Sequence, residues 1–188
     1  AWLAGNQPVL AKKALDTLLA AHPECARAWL LRARVARQLG DAPGSLADYR
    51  EALRRTAVWE PELLRETADA LAGEGRAQEA AQILEAGISK LGEVPSLVLR
   101  SLELELALKD YDAALRRIEA MQRNAPRPEP WMARRASALA QAGRIEESRA
   151  AWQALGLDMP IAVNVSALQF QQPQFADRVA AVLAASGL

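Results

Sequence analysis

A period of about 34 residues, marked by glycine, limits most strongly what this chain can fold into. Gly40 and Gly75 lie 35 residues apart, and Gly75 and Gly143 lie 68 apart, which is two units of 34. Lys109 occupies the skipped point; it is followed by Asp110 and Tyr111, as Gly40 is followed by Asp41. A period in this range implies stacked units, each too small to bury its own apolar face. Every marker stands between two stretches with apolar residues at helical spacing. Glycine there supplies the left-handed residue that closes one helix before the next begins.

Four units align on this period: residues 26–60, 61–94, 95–128 and 129 onward. A small residue recurs in the first helix of each unit as Ala33, Ala68 and Ala136, with Leu102 the exception. Another recurs early in the second helix as Ser45, Ala80, Ala114 and Ser148. Four residues later comes a bulky side chain: Tyr49, Leu84, Ile118 and Trp152. Small residues let crossing helices approach, and the bulky ones fill the space between layers. Pro23, Pro61, Pro95 and Pro126 fall at the junctions, where a helix stops or starts.

Composition agrees with stacked helices and excludes several classes. Ala, Leu and Arg dominate. With 23 Lys+Arg against 23 Asp+Glu the 188-residue chain is neutral, unlike a dedicated nucleic-acid binder. One Cys and one His leave neither a disulfide framework nor the common zinc sites. No apolar run approaches the roughly 20 residues of a membrane span. Cys25 near His22 lacks an orienting third group or an oxyanion site, which argues against a nucleophilic pair. Trp29, Trp59, Trp131 and Trp152 fall at or near packing positions and read as core in preference to a ligand-stacking stripe.

The segment from Ala26-Arg27-Ala28-Trp29 through Gly40-Asp41 to Tyr49-Arg50-Glu51-Ala52-Leu53 resembles the tetratricopeptide repeat, a helix–turn–helix unit of 34 residues. The resemblance covers about residues 5–155. It implies an all-α, right-handed solenoid: residues 1–25 as a partial repeat contributing a second helix, residues 26–155 as four repeats, and residues 156–188 as a tail. Gly5-Asn6-Gln7 reads as the turn of the half-repeat. The chain therefore starts mid-repeat and is expected to be a piece of a longer protein.

Solenoids of this kind present a concave face made by the first helix of each unit, where related repeat proteins bind peptides or helices and carry no chemistry. The matching residues include Arg27, Leu30, Arg34 and Arg37 in unit one and Glu62, Arg65 and Asp69 in unit two. Units three and four add Leu99, Glu103 and Ser137. Four arginines and no acid stand between Ala26 and Gly40, whereas five acids face Arg65 alone between Glu60 and Glu74. Two readings follow. The arginines clamp a carboxylate or acidic peptide, or the charges solvate helix faces and pair between adjacent units. The expected function is a scaffold with no cofactor and no catalysis, binding a protein or peptide partner on this face.

The tail is worded differently. Ile161, Val163 and Val165 alternate with Ala162, Asn164 and Ser166, a strand pattern, and residues 174–185 have helical spacing. The run Trp152-Gln153-Ala154-Leu155-Gly156-Leu157, then Ile161 to Phe170, then Pro173 onward to Gly187-Leu188, resembles the second strand and following helix of an EAL domain. That bacterial family hydrolyses cyclic di-GMP on a TIM barrel. Asn164 corresponds to one of the family's metal ligands, but the rest of the site is absent and no metal site is expected. Glu51-Ala52-Leu53 spells the family's name by coincidence, inside a repeat helix. The tail is read either as a barrel fragment joined to the repeats or as a cap over unit four, with its strand able to pair with a second copy. Two functional alternatives stay open: an inactive regulatory fragment of a cyclic di-GMP signalling protein, or a scaffold of bacterial envelope or exopolysaccharide export.

Overall fold

The computed structural model describes residues 7–156. These residues form nine helices and no strand: α1 Pro8–Ala21, α2 Ala26–Gln38, α3 Ala42–Arg55, α4 Pro61–Gly73, α5 Ala77–Leu91, α6 Pro95–Ala107, α7 Tyr111–Asn124, α8 Glu129–Gln141 and α9 Ile145–Gln153. Each helix packs on its neighbours in sequence, and α4 packs on α6 as well. This nearest-neighbour contact is that of a stack. None of the described helices is long and apolar enough to cross a membrane. The strand expected at 161–165, the helix expected at 174–185, their capping and pairing roles, and Asn164 lie outside the described residues.

The period reappears in the turns. Gly40, Gly75 and Gly143 have φ of +77°, +74° and +76°, and Lys109, at the skipped point, has φ of +59°. After each, the next amide reaches back five residues: Asp41 to the Ala36 carbonyl, Arg76 to Leu71, Asp110 to Glu105 and Arg144 to Leu139, all at 2.9 Å. These are Schellman closures, which need a left-handed residue. Lys109 alone meets that need with a side chain. A left-handed L-residue costs about 1–2 kcal/mol, and glycine's added backbone entropy about 0.5–1 kcal/mol. Lys109→Gly is therefore expected to stabilise by roughly 0.5–1 kcal/mol and to raise the thermal midpoint by about 1–4 °C. A lowered midpoint would mean that the Lys109 side chain makes a compensating contact.

The second helices start in two alternating ways. Asp41 accepts from the Gly44 amide at 2.9 Å, and Asp110 from the Ala113 amide at 3.1 Å. At the equivalent positions of units two and four, Arg76 pairs with Glu79 and Arg144 with Glu147. An aspartate satisfies a free amide directly. The arginine instead holds a glutamate over the first turn, where the helix dipole favours negative charge.

The core is a series of layers. Leu30, Ala33, Tyr49, Ala52 and Leu63 pack together between unit one and α4. Leu46, Leu64, Ala68, Leu71, Leu84 and Leu97 join units one to three. Leu102, Leu115, Ile118, Ala136 and Leu139 join units three and four. Ala33 and Ala136 let the helices of their units come close enough for Ser45 and Ser148 to donate to their carbonyls, at 2.9 and 2.7 Å. Tyr49, Leu84 and Ile118 are fully buried, as the period predicts, whereas Trp152 is half-buried.

Candidate functional site

The first helices α2, α4, α6 and α8 carry a ladder of charges that their alignment makes legible. Arg34, Asp69, Glu103 and Ser137 are equivalent positions, and so are Leu31, Glu66, Arg100 and Arg134. A residue of the first set in one unit faces a residue of the second set in the next unit. Arg34 donates through Nε to both oxygens of Glu66, at 3.1 and 2.9 Å. Arg100 donates through Nε to Asp69 at 2.6 Å. The charge order reverses between the two rungs, yet both are closed.

The third rung pairs Glu103 with Arg134. The signs are complementary, but no ion pair forms. Glu103 instead accepts from Arg100 of its own helix at 2.8 Å. Arg134 folds back, donating to the Pro130 carbonyl at 3.3 Å and lying 5.2 Å from the centroid of the Trp131 ring. Between α6 and α8 there is a groove of about 480 Å³. Leu99, Leu102, Leu106, Ile118 and Ala133 make it apolar, and Glu103, Arg134, Ser137 and Gln141 add polar groups.

Ion pairing favours the charged form of the arginines in both closed rungs. The hydrogen bond to Glu66 raises the Arg34 guanidinium. Burial pulls Arg100 down, but Glu103 and Asp69 outweigh it and leave it raised. Arg65 bridges Glu62 at 2.6 Å and Asp69 at 2.7 Å. Its hydrogen bond holds Glu62 below the usual carboxylate range. That contribution is complete above the unfolded carboxylate pKa and is lost as pH falls through the lowered folded value.

The residues expected on this face separate into four groups. Leu99, Glu103 and Ser137 meet at the groove. Arg34, Glu62, Arg65 and Asp69 are held in ion pairs. Arg27 and Arg37 are exposed and make no ion pair among the described residues. Leu30 is 4% exposed and belongs to the core, because its side of α2 packs against Tyr49 and Leu63. Of the two readings of the arginines, pairing between units describes Arg34. Glu66, Arg100 and Arg134 were not singled out from the sequence, although charged residues 34 apart were a usable signal.

Other groups serve the stack itself. Trp29 donates to the Pro23 carbonyl at 2.8 Å, with the Arg32 and Arg55 guanidinium carbons 4.6 and 4.9 Å from its ring centroid. Lys90 stands over Trp59 at 4.3 Å. Trp29, Trp59 and Trp131 are thus half-buried cation platforms, not wholly core residues. His22 turns toward Glu24 at 3.3 Å, and Cys25 is a free thiol at the start of α2. Among the described residues no cluster of His, Cys, Asp and Glu could hold a metal ion.

Residues 3–58 match the family model described as tetratricopeptide repeat. No curated protein matches the sequence. Solved structures do. YrrB, described as a tetratricopeptide-repeat protein with an unusual peptide-binding site, is 14% identical with a TM-score of 0.65, over 81% of this chain and 78% of that one. MamA is 14% identical with a TM-score of 0.63, over 77% and 85%. The Naa15/Naa10 complex bound to HypK-THB contains a chain 14% identical with a TM-score of 0.63, covering 99% of this chain and 28% of that one. Stacked helix pairs at a 34-residue period, the matched segment and these likenesses together give the described chain the all-α tetratricopeptide-repeat fold.

Proposed function

We propose that this chain is a non-catalytic scaffold that holds a peptide or a segment of a partner protein on the face made by α2, α4, α6 and α8. The observation that carries this reading is the groove between α6 and α8, where apolar side chains remain open beside Glu103 and Arg134, which do not pair with each other. Concave sites with an apolar floor and a few polar groups are what binding faces share. YrrB, with its peptide-binding site, and the Naa15/Naa10 assembly lend support by likeness of fold. Arg27 and Arg37 add positive charge at the unit-one end of the same helices. That charge speeds encounter with an acidic segment more than it tightens the complex.

A photo-crosslinking amino acid placed at Ser137 is the direct test, with Arg116 on the second helix α7 as the control position. Partner adducts are expected from Ser137 and not from Arg116. Equal yields from both would sink the proposal. Calorimetric titration with cyclic di-GMP and Mg²⁺ is expected to give no binding heat, because Asn164 is the one residue here that matches a metal ligand of the EAL family. Measurable heat would move the reading toward cyclic di-GMP signalling.

A further inference from the structure

From the open third rung we infer the chemistry of the occupant: the groove between α6 and α8 takes a peptide segment with one large aliphatic side chain flanked by a basic and an acidic residue, the basic one for Glu103 and the acidic one for Arg134. This inference rests on the binding-face reading above and makes it more specific.

The argument starts from the ladder. Two of its three rungs close by direct pairing between adjacent first helices, although one runs Arg34 to Glu66 and the other Asp69 to Arg100. Sign order therefore does not decide closure. The third rung has complementary partners and stays open, with each charge turned back onto its own helix. The contacts that hold them there are weak. Glu103 is 64% exposed and shares Arg100 with Asp69, and Arg134 makes one long bond to a carbonyl. Both side chains can swing to a ligand without breaking a buried pair, and exposed pairs of this kind contribute only about 0–1 kcal/mol.

The space fits the same occupant. Leu102 stands where the other units have alanine, and it lines the groove together with Leu99 and Leu106. A volume of about 480 Å³ is within the range of small ligand pockets. An aliphatic side chain covers the leucines. A wholly acidic segment would leave Glu103 repelled, and a wholly basic one would leave Arg134 repelled. Like charges facing each other at an interface suppress such partners.

Selection from a phage-displayed library of short random peptides tests this on the full chain. Selected peptides are expected to carry a large aliphatic residue with one acidic and one basic residue within a few positions. Glu103→Gln and Arg134→Gln should each weaken their binding about tenfold. Ser137→Trp, which fills the groove from an exposed position, should abolish it. The double variant Glu103→Arg with Arg134→Glu should select the reversed charge order. Circular dichroism of each variant separates lost binding from lost fold. Peptides insensitive to these changes but lost on Arg27→Glu with Arg37→Glu would overturn this inference and leave the binding face standing. Failure to select any peptide would overturn both. A double-mutant cycle showing that Glu103 and Arg134 already couple in the free protein's stability would overturn the open rung itself.

Discussion

Leu84→Ala is expected to destabilise the protein by about 2–5 kcal/mol and to divide its unfolding into two transitions. Leu84 is fully buried in α5, in the layer where Leu46 of unit one, Leu64 and Leu71 of α4, and Leu97 and Leu104 of α6 meet. Deleting its isobutyl group removes the burial energy and leaves a cavity that the layer cannot readily close, since all those neighbours sit on helices held from both sides. In a stack, coupling between units passes only through neighbouring layers, and this layer is the middle one. With it weakened, α1–α3 and α6–α9 should no longer melt together. Urea unfolding followed by circular dichroism and by tryptophan fluorescence provides the check. Trp29 and Trp131 lie on opposite sides of the layer. Coincident curves with an unchanged midpoint would contradict this account.

Arg117→Met is expected to cost about 3–5 kcal/mol, and the double change with Glu105→Leu to recover most of that loss. Arg117 donates through Nε to Glu105 at 2.9 and 3.1 Å, and through a terminal nitrogen to Glu105 at 2.6 Å and Glu85 at 2.8 Å. The Glu105 side chain is only 9% exposed. Without Arg117, its carboxylate keeps a single contact of 3.4 Å with Ser101. An unpaired buried charge costs far more than the pair contributes, so the single variant suffers most. The double variant exchanges both charges for apolar side chains and strands neither. Chemical denaturation of the wild type and the three variants measures this. A double variant no more stable than Arg117→Met would show that the pair stabilises beyond the cost of stranding Glu105.

The glycine period and its two sets of small and bulky positions are enough to place every described helix pair. A turn that needs a left-handed residue and a crossing that needs a small one are local requirements, and each leaves a letter at a fixed interval. Lys109 shows how far this carries. The interval assigns it a glycine's role, and its φ of +59° fills that role against the preference of its side chain. The face residues are less legible. Leu30 has the same register as Arg65 and Leu99, yet it is core, because Tyr49 of α3 and Leu63 of α4 pack against it. Which arginines are spoken for also depends on the next unit: Arg34 meets Glu66, while Arg37, one turn on, makes no ion pair among the described residues.

Repeat length, helix pairs, turn residues and the layered core can all be read from the order of residues. Those follow from backbone sterics and side-chain volume within one unit and its immediate neighbour. Which rungs of the charge ladder close is set by how successive units pack. Glu103 and Arg134 are as complementary in the sequence as Asp69 and Arg100. Closure depends on how far apart two helices of successive units stand and on which nearer partner each charge finds first. In unit four, Arg134 finds the Pro130 carbonyl and the Trp131 ring on its own helix, and the groove beside it stays open.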